Sequence, residues 1–284
     1  MTYLCVNKAH VDARVRSAVT AAVILILTGV AAAFVNTVAS SGSAISLPIM
    51  MMIGVAPVVA NATNRLPIVI GCATAVWAFH RAGHLPWRDA ARFCVPAALG
   101  AAAGASLASV FDDVHTTNLV IVAVVVALLL LFARPSKWLS ADRTDQPPNR
   151  GPLVITLMGI VGFWAGLIAV DSGTYALAAL VLVGRFPIRE ANAIKVASLG
   201  LAALVSLVIF SGKGEIDWRV AFFLALGSVI GAFLGARLAL GPHAAKWVFR
   251  LLVLVLALEV IHLALGIWSP GTLGAQPLPD NGLH

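Results

Sequence analysis

Long apolar runs separated by short polar segments dominate this chain of 284 residues. Eight runs, among them 18–38, 93–111 and 220–240, are nearly free of charged side chains. A helix needs about 20 apolar residues to cross the ~30 Å hydrocarbon core of a bilayer, and these runs approach or reach that length once their polar flanks are included. The pattern predicts an all-α, polytopic membrane helix bundle.

The polar positions repeat along the chain with an offset of 131 residues. Trp87 aligns with Trp218, and Asn61 aligns with Asn192. Matches of such residue types at one constant offset are hard to obtain from composition alone, so we infer two tandem copies of one helical unit. The predicted organisation is a cytoplasmic N-terminus (1–16), a first transmembrane repeat (17–133), a polar linker (134–151), a second transmembrane repeat (152–266) and a disordered tail (267–284).

Each copy has a polar break after its first long helix, at Ser40–Ser43 and at Asp171–Thr174. The apolar stretch after each break is too short to span comfortably, which favours an interrupted or re-entrant helix. Helix N-termini carry partial positive charge and unpaired N–H groups that suit anions, so two facing breaks would form a site near the middle of the membrane. The alternative is a kink that neighbouring helices relieve. The break residues assigned to the predicted site are Ser41, Gly42, Ser43, Ser172, Gly173 and Thr174.

A second polar group follows each short stretch. Asn61 and Asn64 are three residues apart and share a helix face, as do Asn192 and Lys195. Amide donors beside a cation can coordinate an oxyanion, so these four residues and Arg65 are candidate substrate contacts. The alternatives are a helix cap for Asn61 and a snorkelling, interfacial position for Arg65.

Asp171 is the only acidic residue in the two breaks. A carboxyl group inside a membrane can bind a proton and couple transport to the proton gradient. The same side chain can instead cap the short helix that follows it. The sequence leaves both roles open.

Loop charges predict the topology through the positive-inside rule. The rule favours a cytoplasmic N-terminus, a cytoplasmic loop around Arg81, Arg88 and Arg92, a cytoplasmic linker, and an outside loop at Asp112-Asp113. These assignments agree when the short stretches do not cross, which gives eight spans, parallel copies and two cytoplasmic chain ends. If the short stretches cross, the chain has ten spans and inverted copies. The eight-span arrangement is favoured, and the ten-span arrangement stays open.

Composition and motifs narrow the classes of function. The net charge of +7 comes from Lys and Arg mainly in loops and at helix ends, which is typical of membrane topology rather than of a nucleic-acid surface. His80, His84 and His115 lack metal-ligand partners in the sequence, and no phosphate-binding loop or hydrolase motif occurs. No metal, cofactor, nucleic-acid partner or enzymatic activity is therefore expected.

The order of these motifs over about 18–265 resembles the TauE/SafE family of sulfite and sulfonate exporters. The break at Gly42, Pro48 in the short stretch, the segment 60–65, the loop 83–88 and a GxxxG span follow one another as in that family. The second copy repeats the loop at 214–219 and the GxxxG span at 231–236. Two departures stand out. Hydroxyls replace some of the glycines at each break, and the second copy lacks the Thr-Asn pair, reading Ala193-Ile194-Lys195.

The resemblance implies a secondary transporter in the cytoplasmic (inner) membrane. Its expected substrate is a small anion, sulfite or an organosulfonate, carried by alternating access around a site between the copies. The alternative is a non-transporting membrane protein that assembles with a partner. The resemblance leaves open the direction of transport, the coupling ion and whether two chains form a homodimer.

Overall fold

The computed structural model describes residues 2–39, 42–111 and 147–241, with scattered positions between 118 and 129 and between 246 and 257. Side chains are described from residue 19 onward. Ser41, the Asp112-Asp113 loop, most of the linker and the tail lie outside the described residues, as do most of the predicted spans 116–133 and 245–266.

The described residues form helices and no strand, and the prediction of an all-α membrane helix bundle is confirmed. Among them, four stretches are long and apolar enough to cross a membrane: Val19–Val38, Trp87–Ala108, Ile188–Gly212 and Trp218–Ala239. The helices are α1 (Thr2–Val38), α2 (Ser43–Met52), α3 (Pro57–Thr63), α4 (Arg65–Arg81), α5 (Trp87–Ala108), α6 (Pro152–Leu167), α7 (Ser172–Ala178, continued by a π-helical turn at Ala179–Val183), α8 (Ile188–Gly212) and α9 (Trp218–Ala239).

Local sequence sets where these helices begin. Pro57 and Pro152 each occupy a first-turn position, where the missing N–H removes no helical hydrogen bond. Asp217 caps α9, because its carboxylate accepts hydrogen bonds from the main-chain N–H groups of Arg219 (3.0 Å) and Val220 (3.1 Å).

Helix boundaries agree between the two copies at the offset found in the sequence. Helices α5 and α9 are both 22 residues long and begin at Trp87 and Trp218. Pro57 begins α3 and Ile188 begins α8, again 131 positions apart. This agreement supports the duplication, which remains an inference from the sequence.

The first helix of each copy packs along the last described helix of the other copy. A Cβ atom on Gly231 of α9 would lie 2.0 Å from the main-chain oxygen of Val30 in α1. A Cβ atom on Gly104 of α5 would lie 2.0 Å from the main-chain oxygen of Phe163 in α6. Only glycine allows so close an approach, which confirms that the GxxxG pairs serve helix packing.

Contacts along the helix pairs show which helices run in the same direction. Helices α4 and α9 run parallel, since Thr63 just before α4 binds Asp217 just before α9 (3.0 Å) and Trp77 lies 6.2 Å from Phe233 further along. Helix α1 runs parallel to α9 too, because a Cβ on Gly227 would meet the oxygen of Ile26 at 2.0 Å, one turn before the Gly231 contact.

The equivalent helices α4 and α8 run antiparallel. The Arg65 guanidinium lies 5.4 Å from the centre of the Phe210 ring, and a Cβ on Gly200 would lie 2.8 Å from the Cβ of Cys72. Residue numbers therefore rise along α4 and fall along α8. Copies related by an axis along the membrane normal would place these two helices parallel, so the prediction of parallel copies is wrong for the described helices.

Helices α2 and α7 turn back alongside the first helix of their own copy. Met50 of α2 packs in one cluster with Leu25 of α1, and the Asn149 N–H before α6 binds the Gly184 carbonyl after the π-helical turn (2.7 Å). Thus α1–α2 and α6–α7 are two helical hairpins with the breaks at their tips. Since α1 and α4 run in the same direction, α2 must return the chain through the bundle, which contradicts the favoured eight-span arrangement and agrees with the ten-span alternative.

Several arginines of the described chain lie at one end of the bundle, which we call the basic end. Here Arg150, just before α6, forms a bidentate ion pair with Asp89 of α5 (2.5 and 2.8 Å), and Arg189 of α8 binds the Gly241 carbonyl after α9 (3.0 Å). Helix α1 begins at the opposite end. The N-terminus and the Arg81–Arg88 loop therefore cannot both be cytoplasmic, contrary to the prediction, which assumed that every basic segment lies on one side. The arginines of the basic end are Arg81, Arg88, Arg150, Arg185, Arg189 and Arg237.

Candidate functional site

The two breaks lie against each other inside the bundle. The hydroxyl of Ser43, the first residue of α2, donates a hydrogen bond to the carbonyl oxygen of Ala169 (3.4 Å). The hydroxyl of Ser172, the first residue of α7, donates to the same oxygen (3.2 Å). Both serines are buried, so the tips of the two hairpins meet within protein and away from the surrounding lipid.

The other break residues surround this contact. Gly42 lies so close to α1 that a Cβ atom on it would be 2.1 Å from the main-chain oxygen of Ala32. Gly173 and Thr174 are buried in the first turn of α7. The Thr174 hydroxyl donates to a carboxylate oxygen of Asp171 at 3.4 Å.

Asp171 is fully buried and has a left-handed backbone conformation, with φ at 55°. Its carboxylate accepts a hydrogen bond from the Thr174 hydroxyl at the start of α7, and both roles predicted for Asp171, proton coupling and helix capping, stay predictions. A non-glycine residue in this conformation is uncommon and carries a conformational cost, which places local backbone strain at the second break.

Asn64 joins the first break to α4. Its amide nitrogen donates to the Ser43 hydroxyl (3.0 Å), and its amide oxygen accepts from the Ser46 hydroxyl (2.8 Å). All three side chains are buried. The amide and the two hydroxyls form one polar cluster at the tip of the α1–α2 hairpin.

Arg65 and Asn61 bind the C-terminal end of α6. The guanidinium donates to the main-chain oxygens of Ala165 and Gly166, the latter at 3.1 Å, and the Asn61 amide donates to Leu167 O (3.0 Å). Arg65 is only 1% exposed, so it does not snorkel to the interface. Asn61 caps the end of α6 instead of the beginning of the next helix, contrary to the alternative drawn from the sequence.

Lys195 makes the equivalent contact in the other direction. Its ammonium group donates to the main-chain oxygens of Asn36 (2.9 Å) and Thr37 (3.1 Å) at the C-terminal end of α1. Lys195 is 1% exposed. Each copy thus supplies a buried cation to the end of the other copy's first helix, where main-chain carbonyls are unpaired and the helix dipole is negative.

Asn192 is set apart from the other candidates. It is 1% exposed, and neither its amide nitrogen nor its amide oxygen has a hydrogen-bond partner in the described part of the chain. Its counterpart Asn61 is fully engaged. A buried amide without partners is costly, so the two copies differ in how well this position is satisfied among the described residues.

A small cavity lined by both polar and apolar residues lies beside the Asn64 cluster. Its volume is about 20 Å³, which is enough for a single water molecule. A second cavity of about 10 Å³ touches Arg65 and Ser172, and both cavities share Asn36 and Ile68. The polar side chains at the larger cavity are those of Asn36, Thr37, Ser43, Ser46, Asn64 and Ser228.

Sequence reasoning missed Asn36 and Ser46. At the offset of 131 residues they align with Leu167 and Leu177, so the comparison of the two copies did not mark them. The available signal was simpler, because each is a polar residue inside an otherwise apolar run.

Comparisons with known proteins show the family of this chain. The family model described as sulfite exporter TauE/SafE matches residues 25–260. The probable membrane transporter protein ORF9 of Sinorhizobium sp is 27% identical over 237 residues, covering 82% of this chain and 88% of the relative. A probable membrane transporter protein of Haemophilus influenzae is 29% identical over 223 residues, covering 76% and 84%. The probable membrane transporter protein YfcA of Escherichia coli is 26% identical over 218 residues, covering 76% and 80%.

No solved structure matches the chain. The family match extends from within α1 to beyond α9 and therefore includes both hairpins, their tips and the buried cations. With its apolar spanning helices, this chain is a multi-pass membrane transporter that belongs to the TauE/SafE sulfite exporter family.

Proposed function

We propose that this protein is a secondary transporter that moves a small anion, sulfite or an organosulfonate, across the cytoplasmic membrane by alternating access. The observation that carries the proposal is the polar cluster of Ser43, Ser46 and Asn64 beside a cavity at the meeting point of the two breaks. Hydroxyl and amide donors of this kind suit the oxygens of an oxyanion. The family, which is named for sulfite export, supports a sulfur oxyanion as the substrate.

Buried positive charge supports an anionic substrate over a cationic one. Arg65 follows Asn64 directly, and Lys195 binds the main chain of Asn36 and Thr37 at the cavity wall. In a low-dielectric interior, charges act over longer distances than in water. In this proposal, therefore, Arg65 and Lys195 favour the anion mainly through their field, while Asn64 and the two serines contact it.

The size of the cavity supports a closed state. A space for one water cannot hold a sulfonate, so substrate binding requires the two hairpin tips to move apart. Because the hairpins enter from opposite ends of the bundle, withdrawing one tip opens the site to one side and withdrawing the other opens it to the opposite side. This motion is alternating access. Asp171, buried at the second tip, is the proposed proton-coupling group.

Transport by purified protein in vesicles tests the proposal. We expect uptake of at least one of sulfite, thiosulfate, taurine and sulfoacetate in vesicles that contain the protein, and none in empty vesicles. Failure of all four to move would reject the sulfur assignment.

Variants at matched serines test the site. Ser46→Ala removes the hydroxyl that binds Asn64, whereas Ser206→Ala removes a buried hydroxyl that binds only the Ala202 carbonyl of its own helix. We expect Ser46→Ala and Asn64→Leu to lower uptake at least tenfold and Ser206→Ala to leave it near wild type. Equal uptake by Ser46→Ala and Ser206→Ala would place the substrate elsewhere.

A further inference from the structure

A second potential ligand site lies on the outside of the bundle, in an apolar groove between α4 and α9. The groove is lined by Ala73, Thr74 and Trp77 of α4 and by Val229, Ile230 and Phe233 of α9. Its volume is about 590 Å³, which falls within the range of small-molecule pockets. Trp77 and Ile230 are about half exposed, at 51% and 53%, so the groove is open to its surroundings.

Two arginines stand at one end of this groove, each against an aromatic ring of its wall. The Arg81 guanidinium lies 5.5 Å from the centre of the Trp77 ring, and the Arg237 guanidinium lies 4.4 Å from the centre of the Phe233 ring. The two rings are 6.2 Å apart. The arginines lie at the same end of the groove because α4 and α9 run parallel and each carries its arginine near its C-terminus.

The arrangement has an apolar half and a cationic half. The groove can accept a hydrocarbon chain, and two guanidinium groups at its mouth match the phosphate of a lipid headgroup in charge and in hydrogen-bonding geometry. No carboxylate lines the groove among the described residues. The groove also opens at the basic end of the bundle, which the positive-inside rule assigns to the cytoplasmic leaflet, and that leaflet is rich in anionic lipids.

We propose that this groove binds one anionic phospholipid, with an acyl chain along Trp77 and Phe233 and the headgroup phosphate between Arg81 and Arg237. The site is separate from the breaks at the centre of the bundle. It makes the protein sensitive to the lipid composition of its membrane.

Native mass spectrometry of the full-length protein in detergent tests the proposal, with phosphatidylglycerol and phosphatidylcholine as the probes. We expect the wild type to retain phosphatidylglycerol in preference to phosphatidylcholine. The double variant Arg81→Gln/Arg237→Gln should lose about 30-fold in affinity for phosphatidylglycerol, since one basic residue near an anionic headgroup contributes roughly fivefold. Both arginines are exposed, so the variant is expected to fold.

Two control variants separate the groove from general surface charge. Arg88→Gln removes an exposed arginine at the same end but outside the groove, and Arg219→Gln removes one at the far end of α9. Both are expected to bind phosphatidylglycerol like the wild type. Ala73→Trp fills the groove without touching the arginines and is expected to weaken both lipids.

Three results would overturn the proposal. The first is equal retention of the two lipids by the wild type. The second is an unchanged affinity for phosphatidylglycerol in the double variant. The third is efficient disulfide formation between two chains that carry Thr74→Cys, because a second copy of the protein would then occupy the groove.

Discussion

Lys195 in α8 donates a hydrogen bond to the main-chain oxygen of Asn36 at the C-terminal end of α1 (2.9 Å). Arg65 in α4 makes the reciprocal contact with Gly166 at the C-terminal end of α6 (3.1 Å). Both contacts stabilise a helix that stops inside the protein, where its last carbonyls have no water to bind. The two cations are therefore structural partners of the interrupted helices.

Replacing Lys195 by Met tests this role. Met has a similar length but no donor, so the variant leaves two buried carbonyl oxygens without their cation, and we expect a loss of about 2 kcal/mol in stability. Thermal unfolding in detergent measures the effect, and the exposed Lys213→Met, just after the same helix, is the control. A Lys195→Met protein that unfolds at the wild-type temperature and yet fails to transport would mean that Lys195 binds the substrate directly.

Arg65→Lys is expected to behave as a non-conservative change. The planar guanidinium reaches Ala165, Gly166 and Asn61 at once, whereas an ammonium group has one nitrogen and a different geometry. We expect a loss of about 1–2 kcal/mol and lower transport. Arg219→Lys, on an exposed residue, should change neither quantity. Wild-type thermal stability in Arg65→Lys would show that a single charge is sufficient at this position.

Gly231→Ala is expected to separate α1 from α9. The new methyl group would lie 2.0 Å from the Val30 carbonyl oxygen, and overpacking of this kind costs about 1–3 kcal/mol. Gly212→Ala is the matched control, because nothing lies within 4 Å of a Cβ atom there. Gel filtration and thermal unfolding measure the difference. Equal stability of the two variants would show that α1 and α9 are not tightly packed in the membrane.

Asn192→Leu and Asn61→Leu form a matched pair at equivalent positions. Asn61 has three hydrogen-bond partners, Leu167, Arg65 and Ala169, so its loss should lower stability by about 2 kcal/mol. Asn192 has none among the described residues, so its replacement should leave stability unchanged or raise it. The sequence predicts Asn192 as a substrate contact, and on that prediction its replacement should nevertheless lower transport. Full transport by a stable Asn192→Leu protein would remove it from the site.

The sequence predicted the parts of this structure that depend on local pattern. Apolar runs predicted the helices. Polar breaks such as Asp171–Thr174 predicted the interruptions, because a bilayer tolerates irregular backbone only where it is buried inside protein. The offset of 131 residues also identified three sets of equivalent positions: Asn61 with Asn192, Asn64 with Lys195, and the two GxxxG pairs.

Relations between helices were harder to predict. Loop charges favoured parallel copies, but the rule assumes that all basic segments share a side, and the contact between Cys72 and Gly200 shows α4 and α8 antiparallel. Likewise, the sequence predicted Arg65 as a candidate substrate contact. Its partners are main-chain carbonyls of a distant helix, which no side-chain pattern reveals.

The first helix of each copy packs on the other copy, and this has a consequence for chains of half this length. One copy alone would leave its opening helix without the glycine-lined surface on which it packs, and its interrupted end without a cation. The missing surface could come only from a second molecule inserted in the opposite orientation. A half-length version of this protein would therefore have to enter the bilayer in both orientations and function as a dual-topology pair.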